Sequence, residues 1–372
     1  MNIGTWLKTS VAMLGVVSLA SLNGAAATKS SPEDIPMTYD QEMKAAQDAL
    51  RKDPAWKPAL EEVALIQMSK GAKAVILNNY CLDPAGNILA CCGHKPGRDN
   101  PSGEVRVISP AGELLKTWPL EIMPQAICSS GKGEIFVAGS GRVLRLDAEG
   151  RVIASADTPV AKEPVVMGKD IDDMLKQMNK LNDSERRRMK ETLERRRKEV
   201  TGVALTDQDV FLACPAPSDF TYRVYRFDHE LKNPKLVVEK LRGCCGQMDI
   251  QAHAGNLWIP HNARHQVESH DRDGKPLASF GKRGRVKPDQ FGGCCEPKNL
   301  RLTSNGEILA AESGPPTCIK RFSQDGKFLG VVALLHTKGD CVRVTVEVSP
   351  DGKRYYLLDT TRDAIRVFGA KS

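Results

Sequence analysis

FGKRGRVKPDQFGGCCEPKNLRLTSNGEILAAESGPPTCIKRFSQDGKFLGVV, Phe280 to Val332, is the stretch whose reading decides the fold. It holds four short strand-like runs. Two of the breaks between them are Asn305-Gly306 and Asp325-Gly326, dipeptides that supply the positive φ of tight hairpin turns. Four runs joined by such turns make one four-stranded antiparallel unit.

The unit recurs. First turns align at Gly86, Gly133, Asp209, Gly255, Gly306 and Gly352, with intervals of 47, 76, 46, 51 and 46 residues. Second turns recur at Ala111-Gly112, Glu149-Gly150, Asp273-Gly274 and Asp325-Gly326. A fixed period of this length signals a repeat architecture, and six equivalent turns predict six units. An open two-sheet sandwich would not require the same turn six times. The sixth unit has only three strands before the chain ends, which leaves an open edge, and Val63 to Met68 is the segment available to cover it.

The FGKRG…DQF opening, the proline ahead of the first apolar run and the closing KRFSQDGKFLG resemble an NHL repeat, the blade of a family of β-propellers. The resemblance covers residues 72–368. It implies an all-β, six-bladed β-propeller, to which the hydrophobic pattern adds a short N-terminal helical segment and a helical insertion between blades two and three. NHL proteins usually place a plain proline-containing link after the DQF element; here Cys294-Cys295 is inserted. The family includes binding modules, protein-interaction platforms and metal-dependent lyases of the peptidyl-hydroxyglycine type, so the resemblance leaves function open. The histidine-bound zinc of that lyase type does not map onto this chain residue by residue.

Residues 1–27 read as a secretory signal, with Lys8 ahead of an apolar run around Val11 to Leu22 and then Gly24, Ala25, Ala26 and Ala27. The run is short of the roughly 20 residues that span a bilayer. An exported protein, periplasmic or extracellular with no membrane span after cleavage, is the expectation, which places eleven cysteines in an oxidising compartment. Residues 28–62 form an N-terminal extension, helical over Asp40 to Arg51, and 63–372 the propeller. The formal charge of +7 becomes +6 without Lys8. With aromatics at only 5% and no basic–aromatic interleaving, nothing points to nucleic acid.

In a four-stranded blade whose strands run a to d from the axis outward, the d-to-a links and b-to-c loops share one rim. Cys244, Cys245, Cys294, Cys295 and Cys341 lie 10–12 residues before their turn glycines, where strand a is expected to begin. Cys91, Cys92, Cys214 and Cys318 are expected beside b-to-c loops of the same face. Three readings fit these nine. They are disulfides, including strained rings between neighbours; thiolate ligands for copper, zinc or an iron–sulfur cluster; or buried packing residues. Cys81 and Cys128, in the middle of strand a, point into the channel or a blade interface.

His94, His261, His265, Glu296 and Glu312 fall on the same rim as further candidate ligands, and the carboxylates read equally well as turn caps. Gly168 to Val200 has a helical pattern, with Asp183-Ser184 as a break or N-cap. It sits in a d-to-a link, where it is placed to act as a lid. The expected function is an exported binding or redox-linked propeller whose cysteine-lined rim takes a ligand, metal or protein partner. The alternative is a metal-dependent lyase or hydrolase using His94, His261 and His265.

Overall fold

The computed structural model describes residues 37–69, 74–94, 102–164, 182–217, 221–243, 246–335 and 341–370. The expected leader, the first half of the insertion and Cys244-Cys245 lie outside the described residues. Contacts divide the chain into Met1–Gln41 and Glu42–Ser372.

The second unit contains six four-stranded antiparallel sheets. Blades 1 to 5 begin with strands a at Ile76–Leu82, Ala126–Ser129, Gly202–Leu205, Gln251–His253 and Asn299–Leu302. Blade 6 takes strands a to c from Val346–Val348, Tyr355–Asp359 and Ala364–Gly369. Its strand d is Glu61–Gln67, antiparallel to Ala364–Gly369 with Leu65 opposite Arg366 and Gln67 opposite Ala364. The expected covering of the open edge is therefore present, beginning two residues earlier than Val63.

Position within a blade explains the sequence pattern. Strand b lies mid-blade and is covered on both sides by neighbouring blades, so ILACCG (Ile88–Gly93) and ILAAE (Ile308–Glu312) are buried at every residue and read as unbroken rather than alternating runs. Outer strands alternate, as in Leu114–Leu120, where Trp118 and Leu120 are buried and their neighbours exposed. Each interface between blades is a separate apolar core. Leu309, Ile319, Val346 and Phe368 fill the one between blades 5 and 6. Five first turns use a left-handed glycine, with φ from +70° at Gly352 to +83° at Gly86. The exception is blade 3, where Thr206 donates its amide to the Asp209 carbonyl without a glycine.

Helix α1 (Tyr39–Lys52) precedes the ring. The chain then hydrogen-bonds to the outer strand of blade 5, Ala59 N to Val331 O and Leu60 N to Val332 O, both at 2.9 Å. It crosses from there to become blade 6's outer strand. Arg366 holds that last strand in place, pairing with Asp359 at 2.8 Å and Glu62 at 2.7 Å.

Helix α2 (Pro159–Lys162) precedes the insertion, which supplies α3 (Asp183–Arg196). Asn182, one residue ahead of the expected break, caps α3, and Glu185 returns a bond to the Asn182 amide to complete a capping box. Leu193 is buried and the Arg196 guanidinium lies 5.2 Å from the Tyr222 ring centre. These contacts seat α3 beside the start of blade 3's strand c. Among the described residues no helix is long and apolar enough to cross a membrane.

Candidate metal centre

Three described cysteines converge. The Cys294 Sγ is 3.3 Å from Cys295 Sγ and 3.2 Å from Cys341 Sγ, and all three sulfurs lie within 4.8 Å of one another. Both contacts are longer than the ~2.05 Å of a disulfide bond. Among the described residues this is the one group of three or more His, Cys, Asp or Glu ligand atoms so close together.

The cysteines do not begin strand a, as their spacing suggested. Strand a of blade 5 starts at Asn299 and that of blade 6 at Val346, so these residues belong to the links leading in. The difference matters chemically. In an extended strand adjacent side chains point to opposite faces, whereas the link bends at Gly293 (φ +68°) and brings both sulfurs of the Cys294-Cys295 pair together. A Cβ on Gly293 would sit 3.0 Å from Glu296 Cγ. Cys341 itself has φ +59°, in the left-handed region.

Packing fixes the blade 5 link. Phe291 is fully buried with its ring 5.5 Å from that of Phe322. The Gly292 amide donates to Glu312 Oε2 at 2.7 Å. Glu296 Oε1 accepts from the Ser313 amide (3.0 Å), the Ser313 hydroxyl (2.7 Å) and the Gly314 amide (3.0 Å). The two carboxylates thus tie the d-to-a link to the b-to-c loop, in the cap-like role. Burial pushes the Glu296 carboxyl above its ordinary range, and its Oε2 has no hydrogen-bond partner. Trp56 Nε1 donates to Val286 O at 3.0 Å, pinning the link from outside.

On the blade 6 side, Gln247 substitutes for a strand neighbour. Its Nε2 donates to Val344 O at 2.6 Å and its Oε1 accepts from Val344 N at 3.2 Å. Asn299 bridges blades 4, 5 and 6, donating to Asp249 Oδ2 at 2.6 Å and accepting from Val346 N at 2.8 Å. These side-chain amides hold the starts of strands a together around the axis.

The surroundings of the thiols are polar and partly positive. Lys298 is buried and donates from Nζ to Cys295 Sγ at 3.2 Å. His265 interacts electrostatically with Cys294, and burial together with Arg283 holds its imidazole below the ordinary value. Its Nδ1 is buried without a hydrogen-bond partner. Cys294 is exposed, Cys341 half-buried and Cys295 buried, so the group opens to solvent on one side.

The remaining candidates stand elsewhere. Cys91 and Cys92 lie inside strand b of blade 1 rather than in the following loop. They face opposite interblade cores, Cys91 with Cys81 and Val105, Cys92 with Leu77 and Ile365. Cys214 lies in strand b of blade 3, packed with Val210 and Tyr225. Cys318 lies in strand c of blade 5, its Sγ 3.8 Å from Glu312 Oε1. Burial pushes the thiols of Cys92, Cys128 and Cys214 up to about 12, and those of Cys81, Cys91 and Cys318 well above the ordinary value. Cys128 lines a cavity of about 650 Å³ at the channel's opposite mouth with Gln251 and Arg301.

His261 is buried, with Nδ1 2.8 Å from Glu268 Oε1 and Nε2 accepting from the Arg242 amide at 3.0 Å; both ring nitrogens are engaged. His94 Nε2 is 3.4 Å from Glu104 Oε2. Sequence reading did not single out Lys298 or Gln247. Each looks like an ordinary polar residue until the links fold back on the axis.

No known protein family matches the chain by sequence, and no curated protein does. Among solved structures, a Bacteroides thetaiotaomicron protein of unknown function is similar with a TM-score of 0.51 at 12% identity, over 84% of this chain and 72% of that one. A gluconolactonase from Xanthomonas campestris gives a TM-score of 0.46 at 11% identity, over 84% and 99%. The Pan2 WD40 domain of Neurospora crassa gives 0.48 at 10%, over 84% and 96%. At such identities the first likeness speaks to architecture alone; the six four-stranded sheets themselves make this chain a six-bladed β-propeller.

Proposed function

We propose that this propeller is a binding protein for a thiophilic metal ion, held at the rim by Cys294, Cys295 and Cys341. The observation that carries the reading is the convergence of three sulfurs from two blades within 4.8 Å. Ligands each about 2.3 Å from a common centre lie at most ~4.6 Å apart, so the group needs little rearrangement to share one ion. Soft sulfur selects Cu(I) and zinc over magnesium or calcium. Three thiolates suffice for Cu(I); zinc would add a fourth ligand on the open side of Cys294.

The test is elemental analysis of reduced protein loaded anaerobically with Cu(I) or Zn(II) and freed of excess. Wild type is expected to retain one equivalent that Cys294→Ser and Cys341→Ser each lose. Stoichiometry unchanged in both variants would overturn the assignment.

A further inference from the structure

We propose that the same sulfurs form a thiol–disulfide switch in which oxidation joins Cys294 to Cys341, linking blade 5 to blade 6 and removing two of the three metal ligands. The release of metal rests on the metal-binding reading; formation of the bond does not.

Cys294 is the shared atom. It touches Cys295 at 3.3 Å and Cys341 at 3.2 Å, so distance alone does not choose its partner. Covalent geometry does. A bond to Cys295 would close a small ring through adjacent residues, far from ordinary disulfide geometry, and would be easily reduced. A bond to Cys341, 47 residues away, carries no such restriction. Accessibility agrees, since Cys294 is exposed and Cys341 half-buried, whereas Cys295 is 1% exposed and bonded by Lys298 Nζ. Among the other described cysteines, Cys81, Cys91, Cys92, Cys214 and Cys318 are buried in the protein interior, and Cys128, buried too, borders the cavity at the channel's opposite mouth.

The chemistry balances with a small disulfide such as oxidised glutathione as the oxidant. The Cys294 thiolate attacks one sulfur, forming a mixed disulfide and expelling one glutathione thiolate. The Cys341 thiolate then attacks Cys294 Sγ, expelling the second. Two protein thiols lose two electrons and two protons, and the glutathione disulfide takes them up to become two thiols.

The experiment uses metal-free wild-type protein equilibrated in glutathione buffers, alkylated, digested and mapped by mass spectrometry, alongside Cu(I) binding before and after oxidation. A Cys294–Cys341 cross-link is expected, with Cys295 alkylated, and retained copper should fall at least tenfold and return on reduction. Cys294 joined to Cys295 or to any other cysteine, or no cross-link at all, overturns the proposal. If the cross-link forms but the reduced protein binds no metal, the metal assignment fails and the disulfide stands. If metal binds and no cross-link forms, only the switch fails.

Discussion

At the scale of single residues, the inner strands near the axis and the links into them carry two buried acids, Asp249 and Glu347. Asp249 accepts from Asn299 Nδ2 and the Leu300 amide, yet burial pushes it up to about 7. Burial does the same to Glu347, up to about 7, against the opposing effect of Arg301, whose Nε is 2.9 Å from Glu347 Oε2. Both folded values exceed the ordinary ~3.9 and ~4.3 of unfolded Asp and Glu. Between about pH 4 and 7 the folded protein therefore keeps protons that the unfolded chain has given up, and stability falls as pH rises through that window. Asp249→Asn, which stays neutral, should flatten this fall and raise the melting temperature at pH 8, each pKa unit being worth ~1.4 kcal/mol. Glu347→Gln, neutral at every pH, should flatten the fall as well, because it removes the second buried group that gives up its proton in that window. Urea denaturation of both variants from pH 4 to 8 checks the pair; a destabilised Asp249→Asn at pH 8 would refute the assignment. None of this was legible beforehand. Nothing in the run Met248-Asp249-Ile250 marks the acid as buried, because its burial depends on three blades meeting at Asn299.

At the scale of elements, the repeats were readable because every blade solves the same problem with the same turn, and the left-handed glycines at Gly86, Gly133, Gly255, Gly306 and Gly352 mark it. The covering strand was readable from an arithmetic gap, a last blade one strand short. Fine placement was not. Spacing from the turn put Cys294-Cys295 in strand a, but the bend at Gly293 interrupts the extended run, and the pair sits in the link instead. Spacing likewise put Cys91-Cys92 beyond a strand that in fact includes them. The insertion is a separate matter. Strands flanking it already have their ladder partners, and α3 reaches the blades through Leu193 and the Arg196–Tyr222 contact. Replacing residues 165–198 by a short Gly-Ser linker should keep a single cooperative thermal transition within a few degrees of wild type. Loss of cooperativity in calorimetry would make α3 part of the core.

At the scale of the whole molecule, one antiparallel ladder between Glu61–Gln67 and Ala364–Gly369 joins the beginning of the ring to its end. A chain starting at residue 74 should retain blade 1 but leave Ala364–Gly369 with a bare edge, which is a template for pairing between chains. Such a protein is expected to unfold in more than one step and to associate in sedimentation experiments; a monomer with unchanged cooperativity would show that the strap is dispensable. The same ladder bears on how the protein is made. Gln67 leaves the ribosome 297 residues before its partner Ala364. At roughly 5–20 residues per second that interval is on the order of 15–60 s, during which five blades can assemble while the first-made strand waits with no mate. Synthesis and ring closure are thus separated in time, and the nascent chain carries an unmatched β-strand until the third strand of blade 6 has been made.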